Sequence, residues 1–168
     1  SIGARPNTQV AQKLGLAIDR AIVVDGYMRT SNPNVYAFGD CATKKNYFSY
    51  RPSPVMLAST ACTEARICAA NMFSTGVTEA YRGTLGVFST SIAGKTAGAT
   101  GMNESQAKRE GYDVMTVVAS SPNKHPGTLV GKSMTMVKLI FTRNGMILGA
   151  EVTGGESVGE IINQLALA

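Results

Sequence analysis

The chain has 168 residues, of which 44% are hydrophobic and 16% charged, and this balance excludes a disordered protein and predicts a folded one. Its net charge of +5 does not predict nucleic-acid binding, because the longest basic runs are only the pairs Lys44–Lys45 and Lys108–Arg109. A groove binder needs a clustered basic face. No apolar run approaches the roughly 18 residues of a membrane span. We therefore expect neither a nucleic acid nor a membrane as partner.

The three cysteines, Cys41, Cys62 and Cys68, follow no paired spacing. Their odd number argues against a disulfide framework, and with a single histidine they lack the pattern of a metal site. We therefore predict no metal ion and a reducing compartment, the cytoplasm. The chain opens at Ser1 without an initiator Met and stops at Ala168 without a helix cap. We expect it to be part of a longer protein.

The first half of the chain predicts a short helix and one pair of strands. Thr8–Leu16 has helical spacing, and the β-branched runs Ile22–Asp25 and Val35–Phe38 predict two strands joined by a turn at Ser31–Asn34. The stretch from Lys44 to Pro54 is rich in Tyr, Ser and Pro and predicts a loop.

A longer helix is predicted to follow this loop. Ser53 is suited to the N-cap, and Pro54 to the first helical position, where its missing N–H is unsatisfied in any case. Apolar and small residues then recur at helical spacing, and Gly76 stands past the end of the pattern.

From Gly83 onward the pattern is dominated by strands. Asn103 to Glu110 predicts a short helix with Asn103 as N-cap, Gln106 in the capping-box position and Gly111 as terminator. Further elements are the strands over 85–93, 96–100 and 112–119, the loop over 120–127, the hairpin turn at Asn144–Gly145 and a last helix carrying Val158, Ile161, Ile162 and Leu165.

These elements predict an α+β fold, with a strand-rich domain of mainly antiparallel sheet covered by helices. We place the domain boundary between residues 1–80 and 81–168. The expected core of the second domain is Val137, Leu139, Phe141, Leu148, Val152, Ile161 and Leu165. One strand also carries Met134, Met136 and Ile140 on its opposite face, and we expect this face to need a second cover.

No segment carries a convincing catalytic or phosphate-binding motif. Gly127–Ser133 has three residues between its glycines where a phosphate loop needs four, and Gly154–Gly159 is not a dinucleotide fingerprint. His125 has no Ser, Cys or carboxylate neighbour in sequence that predicts a triad. We therefore predict no catalytic residue in this chain.

Thr30–Asp40 is the informative stretch. A strand runs into Gly39 and then into Asp40 at its carboxyl end, the place where ligands bind in open α/β sheets. The glycine lets the backbone approach a ligand closely, and the carboxylate of Asp40 can accept hydrogen bonds from sugar-like hydroxyls. Taken by itself, a Gly-Asp pair is more often an ordinary turn.

The whole stretch resembles the second FAD-binding motif of the pyridine nucleotide-disulfide oxidoreductases. Gly39–Ala42 is similar to the Gly-Asp-Cys-Ala of the subgroup that contains NADH oxidases and coenzyme A disulfide reductases, and Leu57–Ala58 to the Leu-Ala pair on its next helix. Segments that resemble other parts of this family, including its interface domain, are 1–7, 100–104, 126–127 and 145–151.

The resemblance implies a fragment of an FAD-binding domain over residues 1–80, followed by a dimerisation domain. It implies that Asp40 binds the ribityl chain of FAD and that backbone N–H groups after it face the pyrophosphate. The helix expected near Pro54 would point its N-terminus at the flavin. The implied cofactor-binding residues are Gly39, Asp40, Cys41, Ala42, Leu57 and Ala58.

The function implied is electron transfer from NAD(P)H through FAD to oxygen, peroxide or a disulfide, with the redox cysteine and the NAD(P)H domain upstream of this chain. The expected partners are those upstream domains and a second copy of the chain. The loop Ser120–Gly127 is expected close to that second copy. The alternative is a dimerisation module with no activity of its own.

Overall fold

The computed structural model describes residues 3–73 and 78–168, so that Gly76, predicted to follow the longer helix, lies outside the described residues. The chain forms two compact units, which divide between Thr84 and Leu85. The predicted α+β class is confirmed.

The first unit contains little regular structure. Its strands are two residues long, and most of its chain runs in turns and irregular segments. Its elements are α1 (Gln9–Lys13), β1 (Ile18–Asp19), β2 (Ala21–Ile22), a 3-10 turn (Gly39–Cys41) and α2 (Ala58–Phe73).

The predicted pairing of Ile22–Asp25 with Val35–Phe38 is wrong. The segment Val35–Phe38 pairs with the residues that immediately precede the turn at Ser31–Asn34, and the amide of Ala37 donates to the carbonyl of Met28 at 3.1 Å. The first segment makes a parallel bridge to Ala42 instead. The nearer pairing is favoured because closing a shorter loop loses less chain entropy.

The predicted start of α2 is also wrong. The helix begins at Ala58 and not at Ser53–Pro54. The carbonyl of Leu57 accepts its first hydrogen bond, from the amide of Ala61. The amide of Ser53 donates to the carbonyl of Lys44 at 2.9 Å, so a contact with the preceding loop holds this stretch extended. Cap and proline preferences are local and do not include such a contact.

Among its described residues, two small apolar clusters contribute to the core of the first unit. Between them they bury residues from α1, β2, the turn region and α2. The first cluster consists of Ala11, Leu16, Ile22, Ala37 and Ala42, and the second of Met28, Ile67 and Cys68.

The second unit is a five-stranded antiparallel sheet with helices. The strand order is β3-β4-β7-β6-β5, which leaves β3 and β5 at the edges. The elements are β3 (Phe88–Ile92), β4 (Lys95–Gly101), α3 (Glu104–Arg109), β5 (Val114–Pro122), β6 (Met134–Thr142), β7 (Ile147–Gly154) and α4 (Val158–Leu167). The first three residues of the predicted loop 120–127 belong to β5.

Local signals in the second unit are confirmed in detail. The side chain of Asn103 accepts from the amide of Gln106 at 2.8 Å, and the side chain of Gln106 accepts from the amide of Asn103 at 3.1 Å, which completes the predicted capping box. The β6–β7 turn is at Asn144–Gly145, and Gly145 has a φ of +85°, where glycine is favoured.

Helix α4 packs on one face of the sheet, and the main core of this unit lies there. Of the residues predicted for the core, Leu148 and Val152 are fully buried and Phe141 is half-buried. The cluster under α4 consists of Ala150, Val152, Val158 and Ile162, with Val137, Leu139, Ile161 and Leu165 packed against it.

The opposite face is covered only in part. Met134 and Met136 are exposed, as expected for an uncovered face, but Ile140 on the same face is fully buried. A side chain on Gly149, which pairs with Ile140, would collide with the backbone of Met102. The chain leaving β4 therefore crosses the sheet at this point. The prediction that Ile140 needs another cover is wrong.

Candidate cofactor site

The Gly39 turn, residues Gly39–Cys41, follows directly on an extended Phe38. Gly39 is buried and has a φ of +74°, a left-handed conformation that side chains disfavour. A Cβ at this position would lie 3.5 Å from the Cβ of Ala61, which is an ordinary contact. The backbone conformation, and not a lack of space, therefore requires glycine here.

The turn presents its acidic residue to solvent. Asp40 is exposed, and among the residues that the structure describes none pairs with its carboxylate. Cys41 is half-buried, and its thiol donates to the carbonyl of Phe38 at 3.4 Å. Ala42 is buried and closes the turn. Asp40 is thus the polar side chain that this turn offers to a ligand.

The expectation that the backbone amides after Asp40 face a phosphate is wrong for two of them. The amide of Ala42 donates to the carbonyl of Gly39 at 3.1 Å, and the amide of Thr43 donates to the carbonyl of Ile22 at 2.9 Å. Both donors are used inside the chain because the turn closes tightly and then pairs with β2.

Two charged side chains are buried directly behind the turn. The carboxylate of Glu64 accepts from the amide of Gly39 at 2.8 Å, and the ammonium of Lys44 donates to the carbonyl of Gly39 and to that of Ala42, the latter at 3.3 Å. Lys44 Nζ lies 3.6 Å from Glu64 Oε2, and the two side chains are only 2% and 1% exposed. They form a buried ion pair that holds the backbone of the turn.

Burial dominates the electrostatics of this cluster. Loss of solvent raises the pKa of Glu64, although the amide of Gly39 and the charge of Lys44 act in the opposite direction. Burial and the neighbouring Glu64 carboxylate raise the pKa of Tyr81 to about 12. The Tyr81 hydroxyl and Glu64 Oε1 are buried without a hydrogen bond of ordinary geometry.

Helix α2 connects this buried cluster to Leu57 and Ala58, the other residues expected to contact the cofactor. Its buried stripe is Thr60, Glu64, Ile67 and Cys68, the spacing of one helix face. Its N-terminal end carries Leu57, which is half-buried, and Ala58, which is exposed. No acidic residue stands in its first turn, so the helix does not compensate its own positive dipole end there.

Sequence reasoning missed Lys44 and Glu64. Lys44 belongs to a basic pair that predicts a solvated surface, and Glu64 was one residue in a helical pattern. The available signal was an acid within an otherwise apolar stripe, which requires a partner when it is buried.

The other described parts of the chain contain fewer features that point to a function. No three His, Cys, Asp or Glu side chains within 3–73 and 78–168 gather closely enough to hold a metal ion. None of the helices described there is long and apolar enough to cross a membrane. A cavity of about 280 Å³ lies in the second unit between the end of β5, β6 and α4, and no charged side chain lines it.

Two family models match the chain. Residues 1–65 match the model described as pyridine nucleotide-disulphide oxidoreductase, and residues 87–168 match the dimerisation domain of the same family. The Gly39 turn and the first part of α2 lie in the first match, and the five-stranded sheet lies in the second.

Curated relatives agree with these matches. An NADH oxidase of Enterococcus faecalis is 30% identical over 169 residues, which cover 99% of this chain and 37% of that protein. A CoA-dependent NAD(P)H sulfur oxidoreductase of Pyrococcus abyssi is 30% identical over 164 residues, which cover 95% of this chain and 36% of that protein. The chain spans just over a third of the length of these relatives.

Solved structures give the same result for the fold. The NAD-dependent persulfide reductase of A. fulgidus superposes with a TM-score of 0.85 at 30% identity, over 98% of this chain and 31% of that one. The NADH-bound water-forming NADH oxidase of Lactobacillus brevis gives 0.80 at 25% identity, over 99% and 37%. This chain belongs to the pyridine nucleotide-disulphide oxidoreductase family, and its residues 87–168 match that family's dimerisation domain.

Proposed function

We propose that this chain is part of a flavoenzyme that transfers electrons from NAD(P)H through FAD to oxygen, peroxide or a disulfide. The first unit supplies one wall of the FAD site, with Gly39–Ala42 and Leu57–Ala58 as its contacts, and the second unit supplies a dimer interface. The protein acts in the cytoplasm, where its three free cysteines stay reduced.

The observation that carries this proposal is the presentation of Asp40. Its carboxylate is exposed on a turn whose backbone is fixed from behind by Lys44 and Glu64. Such a carboxylate can accept hydrogen bonds from the hydroxyls of a ribityl chain. The N-terminus of α2 follows at Leu57–Ala58, and its dipole favours negative charge. These features fit FAD.

When bound, FAD supplies the redox chemistry, since it accepts hydride from a nicotinamide and passes electrons onward. The residues of this chain bind and orient it. The carboxylate of Asp40 would accept hydrogen bonds from the ribityl hydroxyls of FAD. The α2 N-terminus would stabilise negative charge on the bound FAD by about 0.3–2 kcal/mol. Among the proposed acceptors, oxygen corresponds to the relatives named NADH oxidases, and a sulfur compound corresponds to the relative named CoA-dependent NAD(P)H sulfur oxidoreductase.

The full-length protein tests this function directly. It should purify with a flavin spectrum, and NADH or NADPH added without oxygen should bleach that spectrum. Admitting oxygen, peroxide or coenzyme A disulfide one at a time should then restore the spectrum with the true acceptor. A full-length protein that binds no flavin would contradict the proposal.

This chain without the rest of the protein should neither retain FAD nor oxidise NAD(P)H. It offers one wall of the site, and these few contacts cannot offset the cost of ordering a large ligand. The absorbance of the purified chain decides this. A flavin spectrum near stoichiometric occupancy would show that the chain is sufficient by itself.

The second candidate role, dimerisation, is favoured by an uncovered face of the sheet. The face opposite α4 exposes large apolar side chains from both edge strands and from β6, namely Phe88, Ile92, Val118, Met134 and Met136. We propose that this open face packs against the same face of a second copy, since two-fold homodimers are the commonest soluble assemblies. The loop Ser120–Gly127 would lie close to the partner.

Charge introduced on this open face tests the dimer. Met136→Lys should shift the full-length protein from dimer to monomer in light scattering at several concentrations, because a standard interface of roughly 1,200–2,000 Å² does not tolerate an unpaired buried charge. Gln164→Lys, which adds the same charge at an exposed position of α4 on the other side of the sheet, is the control. A wild-type protein that stays monomeric throughout would defeat the proposal.

A further inference from the structure

The buried ion pair of Lys44 and Glu64 converges on a single residue, Gly39. The amide of Gly39 donates to Glu64 Oε2 at 2.8 Å, and its carbonyl accepts from Lys44 Nζ. The same ammonium also bonds the carbonyl of Ala42, at 3.3 Å, on the far side of the turn. A charged side chain thus satisfies the amide of the residue that opens the turn, and a second one shares its carbonyl with the amide of Ala42.

This arrangement is a poor way to gain stability. Removing two charges from water costs more than their attraction often returns, and apolar residues of similar size are frequently as stable or more stable. Glu64 Oε1 and the Tyr81 hydroxyl add further buried polar atoms that lack a well-formed hydrogen bond. The cluster is therefore better explained by the conformation that it imposes than by the stability that it adds.

The backbone of the turn supplies one hydrogen bond to Gly39, from the amide of Ala42 to its carbonyl, and leaves the amide of Gly39 to the side chain of Glu64. Gly39 adopts a φ of +74° and, as a glycine, has many alternatives when it is unconstrained. The side-chain bonds to its amide and its carbonyl restrict those alternatives before any ligand arrives. A turn that is already ordered in the apoprotein loses less conformational entropy when a ligand binds, and the ligand therefore binds more tightly.

We propose that Lys44 and Glu64 are positioning residues that hold the Gly39 turn in the geometry in which Asp40 engages FAD. Neither side chain contacts the cofactor, because both are buried behind the turn. This inference rests on the FAD site proposed above.

Two double variants of the full-length protein separate positioning from stability. The first, the Leu variant, combines Lys44→Met with Glu64→Leu and removes both charges and every side-chain bond to Gly39. The second, the Gln variant, combines Lys44→Met with Glu64→Gln; it also removes both charges but keeps an oxygen that can accept from the Gly39 amide. Asp113→Asn with Arg143→Gln, which removes an exposed ion pair of the second unit, is the control.

The two measurements are the FAD dissociation constant and the thermal midpoint of the apoprotein. The Leu variant should bind FAD at least about tenfold more weakly, which corresponds to roughly 1.4 kcal/mol. The Gln variant should lie between it and the wild type, and the control should match the wild type. The apoprotein midpoints of both variants should stay within a few degrees of the wild type.

Hydrogen exchange of the apoprotein gives an independent readout. The peptide that contains Gly39 should exchange faster in the Leu variant than in the wild type, because its amide loses a buried acceptor. If the wild type binds no FAD, the proposed function fails, and this measurement still tests the pair. Unchanged exchange in the Leu variant would refute the claim that the Lys44–Glu64 pair fixes the Gly39 turn.

Two outcomes with the double variants overturn the inference. One is wild-type FAD affinity in both double variants, and the other is a loss of affinity no larger than the loss of apoprotein stability explains. Should a double variant not fold, Glu64→Asp keeps the charge and withdraws the carboxylate from the Gly39 amide. Weaker FAD binding is expected there too, and unchanged binding would overturn the inference equally.

Discussion

The two units of this chain keep their shape by different means. In the second unit, a regular five-stranded sheet packs under α4, and its core residues are apolar and almost fully buried. In the first unit, strands are two residues long and the central turn is fixed by Lys44 and Glu64. The difference indicates that apolar packing stabilises the sheet unit, whereas polar contacts shape the first unit around one exposed turn.

The largest effect on stability should come from truncating the core of the second unit. Ile140→Ala should lower the free energy of unfolding by about 2–5 kcal/mol, because Ile140 is fully buried and its removal leaves a cavity. Met136→Ala, on the same face but half exposed, is the matched control and should cost the monomer far less. Denaturant unfolding of both variants checks this, and similar losses would refute the assignment of the two positions.

A change in the Gly39 turn should have a smaller effect on stability. Gly39→Ala should cost roughly 1–2 kcal/mol, because a side chain disfavours its φ of +74°. Gly26→Ala is the control, since its Cβ would have only an ordinary contact and its φ is not in the left-handed region. Thermal unfolding of both variants decides. A neutral Gly39→Ala would show that the turn relaxes freely.

Removing the capping box tests whether α3 depends on local signals. Asn103→Ala should lower the free energy of unfolding by about 1 kcal/mol, because an orphan amide at the helix start loses its acceptor. Asn103→Ser, which keeps a capping oxygen, should recover most of this loss. Equal unfolding midpoints for the two variants would mean that tertiary contacts alone hold α3.

The pH dependence of the first unit should depend on Tyr81. Its pKa is raised to about 12 from the ordinary tyrosine value of 10.0, so the unfolded chain loses this proton first as pH rises. The stability that this difference provides is fully present below pH 10 and is lost as pH rises through 12. Tyr81→Phe should change stability little at pH 7 and should flatten the alkaline loss. An unchanged slope between pH 10 and 12 would contradict this.

The smallest effect is expected for the exposed ion pair of Asp113 and Arg143. Their atoms lie 2.6 Å apart, but both side chains are well over half exposed, and such pairs contribute roughly 0–1 kcal/mol. Arg143→Gln should therefore leave the unfolding midpoint almost unchanged at 0.15 M salt, the ionic strength at which exposed charges are screened beyond about 8 Å. A loss comparable to that of Ile140→Ala would contradict the claim that apolar packing, and not polar contacts, stabilises the second unit.

The sequence predicted best what depends on neighbours in the chain. The capping box at Asn103, the hairpin turn at Asn144–Gly145 and the apolar stripe of α4 are all local patterns, and all three were found. The start of α2 was missed because Ser53 bonds to Lys44 across a loop, a contact that no local pattern contains.

The same limit applies to the candidate site. Gly39 and Asp40 were recognised because they are adjacent in sequence and form a motif. Lys44 and Glu64 were not recognised, because Glu64 reaches Gly39 across 25 positions. The burial of Ile140 was missed for a similar reason, since it depends on where the chain crosses the sheet after β4.

The most direct test of the central claim is a titration of the full-length apoprotein with FAD, comparing Asp40→Ala with Asp19→Ala. Both residues are exposed acids of the first unit, and only Asp40 lies on the Gly39 turn. We predict that Asp40→Ala weakens FAD binding roughly tenfold or more, since hydrogen bonds to charged groups contribute about 1.5–3 kcal/mol, and that Asp19→Ala binds as the wild type does. Equal affinity in all three proteins would contradict the claim that this turn binds FAD.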